Sequence, residues 1–219
     1  MAIYNAGYLS PIRKKLGNAV GRKWRTLDVL AVYQPFVSNP NTNSQKSVRL
    51  RFGTLATMAM KAAEAINAGF ATVCAGTKVP QRSMFIRKNW ANAIADTPTS
   101  ITVDYTELIL SDGSLNVPVN QGNASFANPL QVEVTLDADT TAHGEFIDKD
   151  DKIYLVVIDT ESGNVYIGNA VRADASVACT VPASANGHRV HAYLFAEGKG
   201  DLDMGRVSST VYCGSGMIS

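Results

Sequence analysis

The chain has 219 residues and a net charge of +1, with 18% charged and 46% hydrophobic residues. That is enough chain to bury a substantial core, and it contains no low-complexity tract. No apolar run reaches the roughly 18 residues of a membrane span, and residues 1–10 lack the basic and apolar regions of a signal peptide. The product is therefore expected to stay in the cytosol unless it leaves inside a larger assembly. The small net charge hides a division. Residues 1–96 carry 14 Lys+Arg against 3 Asp+Glu, and residues 97–219 carry 6 against 16. This shift is read as a domain boundary.

Residues 1–41 are rich in glycine, aromatic and basic residues. Two short apolar runs, 19–24 and 27–33, flank Arg25 and Thr26 and are read as a hairpin attached to an arm. Gly17 and Gly21 are expected where backbones approach closely. Pro35 opens a turn-rich linker that includes Pro40.

A long helix is expected next, over 43–68. Thr42 and Gln45 have capping-box spacing, and Gly69 is read as its stop. Its apolar residues Val48, Phe52, Leu55, Ala59, Ala62 and Ile66 fall three or four apart and form one stripe. One such stripe does not offset the entropy of ordering a helix, so the stripe needs a partner. The partner is either this chain's second helix or the same helix in another subunit, in which case these six residues form an oligomer interface. The second helix is expected from Pro80 to Ala95, with Met84, Trp90, Ala93 and Ile94 facing the first.

From Ile101 the period becomes 2. Seven strands are expected, at 105–110, 130–136, 153–159, 165–171, 177–181, 190–195 and 207–213. The fully apolar run from Val190 reads as a central strand. The fold class is thus α+β: a basic arm and hairpin (1–41), a two-helix region (42–96), and a seven-stranded antiparallel β-sandwich (101–219). Val181-Pro182 followed by Tyr193 resembles a fibronectin type III module. In such modules a Val-Pro or Leu-Pro pair precedes a loop, and a tyrosine on the sixth strand closes it.

Chemistry-bearing patterns are sparse. His188, His191 and Cys179 invite a metal, but on a strand residues three apart face opposite sides. Asp148, Asp150 and Asp151 lack the glycine and terminal glutamate of a calcium loop and read as a solvated loop. No phosphate-binding loop or nucleophile elbow is present, and no context pairs a serine with His143, His188 or His191. Cys74, Cys179 and Cys213 read as buried free thiols. The expectation is a non-enzyme without cofactor or metal.

The remaining signal is a basic patch: Arg13, Lys14, Lys15, Arg22, Lys23 and Arg25, interleaved with Tyr8 and Trp24 and extended along the helix by Lys46, Arg49 and Arg51. Three readings stand: a grip on nucleic acid, a dock for the acidic surface of a neighbouring subunit, or a solvated face.

Gly7, Leu9, Ser10, the run from Leu16 to Gly21, Trp24 and Arg25 resemble the N-termini of a family of uncharacterised Bacteroidota proteins. So do Asn39 to Thr42, Gln45, Arg49, Arg51 and Phe52, and later Ile101, Val103 to Tyr105, Leu110, Ser111 and Gly113 to Leu115. Arg22 and Lys23 depart from small residues in that pattern. The resemblance implies no activity and no catalytic residue. Its central segment also resembles small phage structural proteins. The leading expectation is a virion component, made in the host cytoplasm, that forms homo-oligomers and contacts other structural proteins. The alternative is a cytoplasmic nucleic-acid-binding protein using the basic half.

Overall fold

The computed structural model describes residues 2–3, 13–36, 41–96, 100–117, 124–138, 146–199 and 204–219. Tyr8, Pro40 and His143 lie outside the described residues. The chain divides into two compact units, Met1–Thr42 and Asn43–Ser219.

The first unit is an antiparallel sheet of β1 (Ala2–Ile3), β2 (Lys14–Leu16), β3 (Ala19–Trp24) and β4 (Leu27–Val32), in the order β1-β4-β3-β2. The hairpin expected around Arg25 and Thr26 is there, with Trp24 opposite Leu27. Arg25 is forced to φ 54°, the left-handed conformation that two-residue hairpin turns demand and that suits Asn or Gly. Gly17 serves its own turn rather than a close approach. Its φ is 57°, with open space where a Cβ would stand.

In the second unit α1 (Asn43–Lys61), α2 (Ala63–Gly69) and α3 (Ala71–Cys74) replace the single long helix. Ala62 (ψ 22°) and Phe70 (ψ 12°) leave helical geometry, yet Ile66 still donates to the Ala62 carbonyl and Cys74 to that of Phe70. The helical path is thus interrupted at Ala62 and Phe70 while hydrogen bonds carry across both breaks. Gly69 is accordingly no stop. A Cβ there would sit 2.3 Å from the Leu110 carbonyl oxygen, so only glycine lets the helix pass this strand-side backbone. The second helix, α4 (Gln81–Asn89), ends early. Asn89 turns its amide into the interior, donating to the Phe85 and Ile109 carbonyls and accepting from the Ile109 N–H. The chain then forms β5 (Ile94–Asp96), paired with β6 (Ile101–Val103).

Residues 101–219 do not form one seven-stranded sandwich. The expected first strand, 105–110, begins as a turn of 3₁₀-helix held by the Asp104 cap. The strands that follow are β7 (Ala124–Ser125), β8 (Gln131–Thr135), β9 (Lys152–Asp159), β10 (Val165–Val171), β11 (Ser176–Thr180), β12 (Arg189–Glu197) and β13 (Val211–Met217). They pair as a four-stranded sheet, β10-β9-β12-β13, and a three-stranded sheet, β11-β8-β7.

The four-stranded sheet is buried on both faces, which is why β9 and β12 lack alternation. Ile153, Leu155, Val157, Ala192 and Leu194 face the three-stranded sheet and its Val132, Val134 and Cys179. Tyr154, Val156, Ile158, Tyr193 and Phe195 face the helices, where Leu55, Ile66, Phe70 and Phe85 cover them. The unit is therefore three layers: helices, four strands, three strands. Tyr193 points into the helical side, where its hydroxyl donates to the Tyr105 carbonyl rather than closing a loop after Pro182.

Candidate interaction surfaces

The N-terminal sheet positions the basic residues. Alternation along β3 and its pairing with β4 put Arg22, Trp24, Leu27 and Val29 on one face. Lys15, opposite Val20, shares that face, and its ammonium lies 3.8 Å over the Tyr33 ring. Lys14, opposite Gly21, and Lys23, opposite Asp28, alternate onto the other face; they, Arg13 and Arg25 are all exposed. Among the described residues of this unit, Val29 is the one buried hydrophobic side chain. Ile3, Leu16, Trp24, Val32, Tyr33 and Phe36 are all exposed, Phe36 at 93%. Among the described residues, a sheet this small and this open has almost no interior of its own.

Arg49 and Arg51 belong to α1, in the other unit. Arg51 is a brace: it donates to the Trp90 carbonyl at 2.9 Å, with its guanidinium 5.3 Å from the Trp90 ring centroid. The six-residue stripe splits. Leu55, Ala59, Ala62 and Ile66 are buried in the core shared with the chain's own second helix, α4, and the four-stranded sheet, whereas Val48 (53%) and Phe52 (54%) stay exposed, with Met60 (61%) on the same helix. An open groove of about 460 Å³ runs along α1, lined by Arg49, Thr54, Thr57, Lys61, Val103 and Tyr105. Lys61 crosses it to donate to the Ser162 carbonyl and Asn164 Oδ1.

The metal-like residues do not converge. His188 Nδ1 lies 2.8 Å from Asp159 Oδ2. His191 stacks on Tyr105 at 4.6 Å with Nδ1 2.9 Å from the Tyr212 hydroxyl, and Cys179 lies in the core between the two sheets. Burial pushes the Cys179 thiol up to about 11 and that of Cys213 to about 12, so both stay protonated and inert. Among the described residues no three metal-ligating side chains gather.

Ser162, Asp159 and His188 do meet, but in an order unlike a nucleophile and its base. The Asp159 carboxylate stands between them, accepting from Ser162 Oγ at 2.6 Å and from the N–H groups of Glu161 and Ser162. Burial alone raises the Asp159 pKa. The donated hydrogen bonds outweigh it, and the net shift is downward. The same hydrogen bond raises that of His188. The cluster ties the β9–β10 turn to the start of β12.

The stretch 148–151 is not solvated as expected. Asp148 and Asp151 are buried, and the equally buried Arg172 Nε lies 2.9 Å from Asp151 Oδ2. Arg172 also donates to the Asn116 carbonyl, and Asp151 accepts from the N–H groups of Asp148 and Lys199. One ion pair thus joins four loops. No periodicity marks Arg172, which follows an ordinary strand and precedes a turn, so nothing in the sequence announces it.

A family model spans residues 11–214, nearly the whole chain and both units. The chain is a member of DUF6266, a family of unknown function. No curated protein matches it. The matched residues take in β2 to β4 of the N-terminal sheet together with the layered body. No described helix of this DUF6266 chain is long and apolar enough to cross a membrane.

Proposed function

We propose that this DUF6266 chain is a non-enzymatic structural subunit that completes its N-terminal sheet against other molecules of an assembly, a phage particle being the setting its sequence resemblance suggests. The observation that carries the reading is the N-terminal sheet unit, whose described residues include a single buried hydrophobic side chain and six large exposed ones. Such a sheet is stable when a partner covers it. The body, by contrast, is fully furnished with core on both faces of its central sheet. A four-stranded sheet facing a three-stranded one supports reading its strand layers as fibronectin type III-like, an architecture widely used for presentation rather than chemistry. On this reading the protein is made in the host cytoplasm and carried in the virion.

The test is mass spectrometry of purified particles from the source culture. The chain should co-purify with capsid or tail proteins in stoichiometric amounts; its absence from particles contradicts the proposal.

A second reading rests on Trp24 and Tyr33, which share a face with Lys15 and Arg22 as in surfaces that stack single-stranded bases. Fluorescence titration with an oligonucleotide separates the two. Salt-sensitive quenching lost in Trp24→Leu favours nucleic acid, and no change favours the assembly reading.

A further inference from the structure

The two sequence segments of the layered body differ in charge. Its helical segment, 43–96, carries 8 Lys+Arg against 2 Asp+Glu, and the strand segment, 97–219, carries 6 against 16. Each side also exposes apolar side chains, Met204 and Met217 as well as Val171 on the strand side. On α1, Val48, Phe52 and Met60 are exposed, with Lys46 and Arg49 exposed on the same helix. On the strand side Val171 is 41% exposed at the end of β10. Its N–H donates to Asp174 Oδ2 at 2.9 Å. Ala173 donates to the Lys149 carbonyl and Leu136 to that of Ala175, which brings the exposed Asp150 and Asp137 to the same corner, where Lys149 Nζ pairs with Asp150 at 2.7 Å.

We infer that the exposed face of α1 docks a second copy of this chain, on the corner formed by Val171, Asp137, Asp150 and Asp174. This rests on the assembly reading and names its partner. An apolar centre with a cationic rim meets an apolar centre flanked by Asp137 and Asp174, with Asp150 already shared with Lys149, the arrangement that gives an interface both burial and orientation. A symmetric pairing of two α1 faces would set Lys46 and Arg49 against their own equivalents; the α1-to-corner contact does not. Because the two patches differ, the contact is head-to-tail, each copy keeps one of each free, and association extends to a ring or a filament.

Sedimentation velocity on the full chain tests this. The wild type should grow in mass with concentration and shrink in high salt. Phe52→Glu spoils only the helical patch and Val171→Lys only the corner, so each alone should remain monomeric. Mixed in equal amounts they should form a dimer and stop, because each supplies the patch that the other lacks. The lone Glu–Lys pair at the open ends is an exposed ion pair, too weak to extend the dimer. Restored dimerisation also shows that both variants fold. A wild type monomeric throughout, or oligomers indifferent to both substitutions, overturns the inference. If that monomer is nevertheless found in particles, the assembly reading stands and only this contact falls.

Discussion

Arg172 and Asp151 are the residues whose loss the body should feel most. Arg172→Ala leaves a carboxylate buried without its counter-charge, a change that costs about 3–5 kcal/mol. The midpoint of urea unfolding should fall accordingly, while a drop under about 1 kcal/mol would mean the pair is not buried in solution. His188 and Asp159 give a pH signature. The raised His188 pKa contributes stability that is complete below its unfolded value of about 6.5 and is lost as pH rises through the folded value. The lowered Asp159 pKa contributes above about 3.9 and is lost as pH falls through its folded value. The thermal-stability advantage of the wild type over His188→Gln should therefore peak between about pH 4 and 6.5 and narrow above neutrality. An advantage that grows toward pH 9 would contradict the pairing. Arg25 makes an opposite prediction. Relieving its left-handed conformation with Arg25→Asn should slow amide exchange in the N-terminal hairpin, since that conformation costs an ordinary residue about 1–2 kcal/mol.

At the scale of elements, the helix stripe separates what was legible from what was not. The spacing of Val48, Phe52, Leu55, Ala59, Ala62 and Ile66 identifies a helix and its apolar side, because periodicity is a local property. It does not tell which part of the stripe the fold covers, because that depends on where the sheet ends. Leu55→Ala should cost about 2–5 kcal/mol, whereas Phe52→Ala should stay within about 0.5 kcal/mol in the monomer. Equal effects would show that the helix sits differently on its sheet. Glycines carried a similar ambiguity. Gly69 reads as a helix stop and is instead a passage past the Leu110 carbonyl, a long-range fact that no local pattern contains. The apolar run of β12 was readable as a central strand. The shift of the last strand from 207–213 to β13 was not, since Ser208 and Thr210 spend their hydroxyls on Ala196 and on Leu110 and Ser111 rather than alternating in a ladder.

Across the whole molecule, the charge division at residue 96 was visible in the sequence, but its meaning was not. It falls inside the body, between layers that share one core, while the compact units part near residue 42. The account's central claim is that the body is self-sufficient and the N-terminal sheet is not. Native-state hydrogen exchange on the full chain at a dilution that keeps it monomeric tests this most directly. Amides of β9 and β12 should exchange only through global unfolding, and those of β3 and β4 should exchange orders of magnitude faster, slowing when the chain assembles. Protection of β3 and β4 equal to that of β9 and β12 in the dilute monomer would contradict it.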